Sequence, residues 1–411
     1  CRSLAVGTKT GYKLFSLTTV EKLDCIHESA ETPDVYIVER LFSSSLVVVV
    51  STTTPKRMNI YHFKKGTEIC NYSYPSNILA VKLNRQRLVV CLEESIYIHN
   101  IKDMKLIKTL LNTPANNSGL FALSINHSNS YLAYPGSATN GEIIVYDANS
   151  LSTVAVITAH DSPLAALSFN TTASQLASAS ERGTVIRVFS IPEGLRLFEF
   201  RRGMKRYVSI SSLSFSPDGQ FLCASSNTET VHIFKLEQLE PNAGDDTSTW
   251  TAYVGKVLSA ATSYFPAQVS DMMSQDRAFA TVHLLKTNQR NICALAMIQK
   301  LPRLLVATAE GQFFIYNVDP LDGGECMLVY KHRFVKLFNC IYCRQNKEKG
   351  NQKAQSTMSK KYPHPFSALI PRNLCYSEDG GAKKGEVIPE HEFAAGPVCL
   401  DDENEFPPVS I

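Results

Sequence analysis

Short apolar runs of five or six residues recur along this chain, and each is entered and left through a polar turn. Runs of this length, rich in β-branched and aromatic residues, predict strands rather than helices. One apolar pair recurs inside them, as Leu14-Phe15, Ile60-Tyr61, Ile98-His99, Val145-Tyr146, Val188-Phe189, Ile233-Phe234 and Ile315-Tyr316. The second members stand 46, 38, 47, 43, 45 and 82 residues apart. A further strand and turn precede the late copies, as Leu176-Ala177-Ser178-Ala179-Ser180 before Glu181-Arg182-Gly183, and Phe221-Leu222-Cys223-Ala224-Ser225 before Asn227-Thr228. Pro217-Asp218-Gly219 supplies a turn between two of these strands.

A unit of several strands repeating every 40 to 45 residues or so predicts an all-β chain folded as a seven-bladed β-propeller. The Trp-Asp dipeptide of standard WD40 units is missing from every copy, so the repeats are degenerate. The chain opens at Cys1 already inside a strand pattern, Leu4-Ala5-Val6-Gly7, and an incomplete first blade lacking its native beginning is expected. The propeller is expected over residues 1–330. Beyond it, 331–411 are rich in Lys, Gln, Ser, Pro and acidic residues without periodicity, which predicts a disordered tail.

The one long gap, 82 residues, holds an insertion at about 240–280. Within it Val254, Val257, Leu258, Ala261, Tyr264 and Phe265 recur at helical spacing, with Trp250 and Tyr253 just ahead. Such a segment either lies as an amphipathic helix on a bilayer or packs on the propeller's flank.

Composition narrows the function. Of the 411 residues, 41 are Lys or Arg and 38 Asp or Glu, a net charge of +3. That is too mild for nucleic-acid binding along a whole face, so any anion site is local. Eleven cysteines, scattered and odd in number, argue against a disulfide framework and for a reduced, intracellular chain. Cys340 and Cys343 form one C-x-x-C without a second ligand pair, so no metal or other cofactor is expected. No apolar run approaches the ~20 residues needed to cross a bilayer. His160-Asp161-Ser162 holds triad residue types, but three consecutive residues cannot form a triad's relay, and no enzyme is expected.

The local anion site is sought at Phe200-Arg201-Arg202-Gly203. Neighbours on an extended chain point apart, so the two arginines serve two separate places. Guanidinium forks suit phosphate oxygens, and glycine lets backbone approach a ligand closely. Superposing the copy ending at Phe189 on that ending at Phe234 puts Arg187 on His232, each two residues before its aromatic. The other copies carry Lys13, Asn59, Tyr97, Ile144 and Phe314 there. Ser178, Ser180 and Thr184 surround Arg187; Ser225, Ser226, Thr228 and Thr230 surround His232. The bland alternative is that these hydroxyls simply suit strands and turns, with Arg187 paired to Glu181.

Phe200-Arg201-Arg202-Gly203 followed by Ser225-Ser226-Asn227-Thr228-Glu229-Thr230-Val231-His232-Ile233-Phe234 closely resembles the PROPPIN propellers, and more narrowly their vertebrate WIPI group. The tail segment Gly385-Glu386-Val387-Ile388-Pro389-Glu390-His391-Glu392-Phe393 looks most like the first member of that group. The resemblance implies two sites for phosphatidylinositol 3-phosphate or the 3,5-bisphosphate. The first would use Ser178, Ser180, Gly183, Thr184, Arg187 and Arg201, the second Arg202, Gly203, Ser226, Thr230 and His232. It also implies that the insertion enters the membrane through Trp250, Tyr253, Val257, Leu258, Tyr264 and Phe265. The partners implied are those lipids, a membrane surface and autophagy proteins, with a cytoplasmic chain peripheral on phagophore, endosomal and Golgi-derived membranes. A histidine facing phosphate at position 232 would bind better protonated, so affinity would rise between roughly pH 7.5 and 6. The rival reading is a protein-binding scaffold without lipid recognition; Arg85 and Arg87 on another repeat either form a basic face for an acidic partner or are simply solvated.

Overall fold

The computed structural model describes residues 3–126, 128–203, 207–237, 278–284 and 290–333, and the backbone of 390–393. The described residues form strands and turns, grouped in seven sheets. The first sheet has three strands, β1 (Ser3–Thr8), β2 (Gly11–Ser16) and β3 (Asp24–Ser29). The second holds β4 (Val35–Arg40), β5 (Leu46–Ser51), β6 (Arg57–His62) and β7 (Thr67–Ser73). The third is β8 (Ala80–Leu83), β9 (Arg87–Cys91), β10 (Ser95–Asn100) and β11 (Leu106–Leu111). The fourth is β12 (Ala122–Leu123), β13 (Tyr131–Pro135), β14 (Gly141–Asp147) and β15 (Ser152–His160). The fifth is β16 (Leu164–Phe169), β17 (Gln175–Ser180), β18 (Val185–Ser190) and β19 (Arg196–Arg201). The sixth contains β20 (Ile210–Phe215), β21 (Phe221–Ser226), β22 (Thr230–Lys235) and β23 (Ala280–His283). The seventh contains β24 (Asn291–Ile298), β25 (Leu301–Thr308) and β26 (Gln312–Asn317) and ends in β28 (Met327–Arg333). Between the last two, β27 (Gly324–Glu325) leaves the seventh blade to pair in parallel with β23.

Innermost strands touch in sequence order, from β1 to β4, β8, β12, β16, β20 and β24. Leu17 and Val20 of the first blade then pack with Ala296, Ile298, Leu305, Phe313 and Ile315 of the seventh. His332 adds a 2.9 Å contact from Nε2 to the Val20 carbonyl, and the ring is closed. The seven apolar pairs of the sequence fall on β2, β6, β10, β14, β18, β22 and β26, the next-to-outermost ring strand of every blade. On β10, β14, β18, β22 and β26 both members of the pair are buried, so these strands are covered on both faces, whereas on β2 and β6 Phe15 and Tyr61 are only half-buried. The insertion falls between β22 and β23, inside the sixth blade.

Two boundaries differ from the sequence reading. The seventh blade runs to Arg333 rather than stopping at 330. Within the stretch expected to be a disordered tail, β29 (Glu390–Phe393) pairs antiparallel with β7 as a fifth strand of the second blade. Four residues are too few to produce a readable alternation in a polar stretch. Arg87 is also not a free basic face: its Nε donates to the Ala148 carbonyl at 2.8 Å and ties the third blade to the fourth.

Candidate functional site

Phe200 explains why the two arginines stand where they do. It is 1% exposed, and its ring stacks on Phe234 at 4.8 Å between centroids. Both belong to the apolar cluster that joins the fifth blade to the sixth. Burying a side chain of this size stabilises by about 1.5–3 kcal/mol. The strand is thereby anchored at the seam, and Arg201 and Arg202 follow at its end. Arg201 is the last residue of β19, opposite Val185. The Arg202 amide donates to the Thr184 carbonyl at 3.0 Å.

The two side chains meet different surroundings. Arg201 lies two residues beyond Glu199, on the same face of the strand. Arg187 stands opposite Glu199 across the β18–β19 ladder and donates to Glu199 Oε2 through Nε at 2.7 Å. Arg196 Nη1 reaches the same oxygen at 2.9 Å. Burial pushes the Glu199 carboxyl up, but the Arg187 hydrogen bond and the charges of Arg187, Arg196 and Arg201 together hold it below its usual range. Three guanidinium groups around one carboxylate leave this locality cationic. Arg187 Nη1 donates to the Ala159 carbonyl at 2.6 Å, which reaches into the fourth blade. Arg187 is thus held by Glu199, not by Glu181.

Ser178 faces Arg187 across the β17–β18 ladder. It is fully buried, and its hydroxyl lies 2.9 Å from His160 Nε2. Ser180 is buried at the end of the same strand, and its carbonyl accepts the Gly183 amide at 2.9 Å. Gly183 has φ +62°, and a Cβ there would lie 1.9 Å from the Val208 carbonyl oxygen. This turn is therefore closed down on the first residues of the sixth blade, where only glycine fits. Gly183→Ala is expected to destabilise the protein by at least about 2 kcal/mol, measured as a shift in the urea midpoint. Thr184 is half-buried and follows this turn.

Arg202 turns instead to the sixth blade. Its Nη2 donates to the Thr228 hydroxyl, which is 2.9 Å from that of Ser226. His232 stands opposite Ala224 and Thr281, and Thr230 opposite His283. Burial, then the charges of Arg202 and His283, push the His232 imidazole down to about 4. This corrects the pH window expected from sequence: in the free protein His232 is neutral throughout pH 7.5 to 6. Gly203 is open, and a Cβ there would meet nothing within 4 Å.

Arg187 and His232 do occupy equivalent places, each next-to-outermost in its blade and two residues before a buried phenylalanine. Around them the structure adds His160, Glu199 and His283, and it ties Thr228 to Arg202. His160, set aside in the sequence as part of a false triad, supports Ser178 from the neighbouring blade. Only strand pairing brings Glu199 to Arg187. Trp250, Tyr253, Val257, Leu258, Tyr264 and Phe265 lie outside the described residues.

The sequence matches the PROPPIN family over residues 1–335. The chain belongs to that family. This PROPPIN is 66% identical to human WD repeat domain phosphoinositide-interacting protein 1, across 100% of this chain and 92% of that one. It is 40% identical to autophagy-related protein 18 of Caenorhabditis elegans, across 80% and 82% of the two chains. The solved structure of Kluyveromyces lactis Hsv2 shares its fold at a TM-score of 0.62, covering 81% of this PROPPIN and 95% of Hsv2 at 21% identity.

Proposed function

We propose that this PROPPIN is a peripheral membrane effector. It binds the headgroups of phosphatidylinositol 3-phosphate and 3,5-bisphosphate at two sites on neighbouring blades, and brings autophagy proteins to the membranes that carry them. The observation that carries the reading is the division of labour between Arg201 and Arg202. One joins the cationic cluster of Arg187 and Arg196 in the fifth blade, and the other joins Thr228, Ser226 and His232 in the sixth. Phosphate recognition needs such forks together with nearby hydroxyls and accessible backbone. Ser180 and Thr184 bring hydroxyls to the first site beside the turn at Gly183, whose amide is already spent on the Ser180 carbonyl, and Ser226, Thr230 and the open Gly203 serve the second. A phosphate at the first site would compete with Glu199 for Arg187. The relatives' names, one phosphoinositide-interacting and one autophagy-related, support the same reading. The membranes expected are phagophore, endosomal and Golgi-derived.

Flotation with vesicles of phosphatidylcholine, with and without each phosphoinositide, tests it. Binding only to vesicles that carry a 3-phosphate lipid is expected, and indifference to the headgroup would leave a protein-binding scaffold. We further infer that the insertion at about 240–280 acts as an apolar wedge beside these sites. Tyr264→Ser with Phe265→Ser is expected to spare binding of the soluble headgroup and to cut vesicle binding about ten-fold. Unchanged flotation of this variant would remove the wedge from the mechanism.

A further inference from the structure

The fifth strand of the second blade has a source unlike the other additions to the ring. The sixth blade borrows β27 from its immediate neighbour, whereas β29 arrives from far along the chain. It covers the outer edge of β7, with Glu390, His391, Glu392 and Phe393 opposite Ser73, Tyr72, Asn71 and Cys70. An uncovered strand edge offers unpaired amides and carbonyls to any extended chain. β7 is an apt edge for such an addition, because Ile69, Cys70, Asn71 and Tyr72 are buried in succession behind it.

The pairing register matches residue type to residue type. Glu390 and Glu392 fall in the rows of Ser73 with Arg57 and of Asn71 with Asn59. His391 and Phe393 fall in the rows of Tyr72 with Met58 and of Cys70 with Ile60. The first two rows are polar, and the second two belong to the core shared with the third blade. A slip of one residue would put the acidic residues in the apolar rows, so the sequence selects this register. Glu390 falls in the row of Arg57, which carries a buried Nε with no hydrogen-bond partner among the described residues.

We propose that the outer edge of β7 is a strand-addition site and that the segment around Glu390–Phe393 is its built-in occupant, a reversible plug that closes the second blade to other extended chains. The occupant adds only four residues to the sheet, so it holds through tethering as much as through contact. The second blade lies across the ring from the fifth and sixth, so the plug can open and close while the arginine pair is engaged. The proposal does not depend on lipid binding.

The test uses the full chain carrying His391→Pro with Glu392→Pro, which removes two adjacent amides from the added strand and so breaks its ladder. Amide exchange is followed by mass spectrometry. Peptides covering β7 are expected to exchange at least about ten-fold faster in the variant, while those of the fifth and sixth blades stay unchanged and show that the ring is intact. A labelled synthetic peptide, residues 385–394, is then added in trans. It is expected to bind the variant at least about ten-fold tighter than the unaltered chain, where the edge is already filled. Unchanged exchange in β7 would overturn the proposal. So would a peptide that ignores the variant, or one that binds both proteins equally.

Discussion

Replacing both Arg201 and Arg202 by alanine is expected to reduce flotation with 3-phosphate vesicles by at least about a hundred-fold, to the level of vesicles without that lipid, while either replacement alone costs about ten-fold. The asymmetry follows from the geometry. Arg201 contributes its charge to the cluster around Glu199, and Arg202 reaches Thr228 and lowers the proton affinity of His232. The two proposed sites flank the Phe200–Phe234 stack, so they are expected to act on one membrane as a bivalent unit. Losing one site already forfeits the linkage and leaves one weak contact, and losing both leaves none. The backbone contact from Arg202 to Thr184 survives either substitution, and Phe200 stays in place, so the blades are expected to remain folded. Complete loss from one single variant would mean one shared pocket. Calorimetry with the soluble headgroup separates the two cases, since two pockets give half the stoichiometry in each single variant.

Sequence disclosed whatever repeats and missed whatever depends on register. The pairs from Leu14-Phe15 to Ile315-Tyr316 revealed seven blades because the first member of each pair is buried in the equivalent strand of every blade, and in five blades the second member is buried too. The equivalence of Arg187 and His232 came from counting back along those strands. Glu199 was not legible, since Glu181 is nearer in sequence and nothing short of the β18–β19 pairing decides between them. His160 was hidden for the same reason, its partner being a serine in the next blade. Solvation was misjudged too. A basic residue reads as exposed, yet Arg87 spends its donors on the Ala148 and Gln86 carbonyls. The added strand at Glu390–Phe393 shows the limit most clearly. Its four residues carry no period, and they take strand form only against an edge supplied by β7.

Acidification is expected to unfold this protein well before its carboxylates are fully protonated. His160 is pushed down to about 4, first by burial and then by the charge of Arg187, while its contacts with Ser178, Glu199 and Asp161 only partly compensate. His232 is pushed down to about 4 by burial, Arg202 and His283. In the unfolded chain both imidazoles return to about 6.5. Between these values the unfolded chain binds two protons that the folded chain refuses, so stability falls as pH falls from 6.5 towards 4 and these two groups add nothing further below that. Each contributes a loss of about 3 kcal/mol by pH 4. That is a large share of a typical stability of 5–15 kcal/mol. Urea midpoints measured from pH 7 to 4 should therefore drop steeply, and His160→Gln and His232→Gln should each flatten the slope by about half of the histidine contribution. A variant whose slope matches the unaltered protein would show that its imidazole is already free to protonate in the fold. The Arg202 part of this shift makes the proposed second site sensitive to an anion. A phosphate bound at the proposed second site would offset the charge of Arg202 and raise the His232 imidazole above about 4, so headgroup binding is expected to take up a proton and to strengthen as pH falls towards that value. His232→Gln should abolish that proton uptake, and His160→Gln should leave it in place.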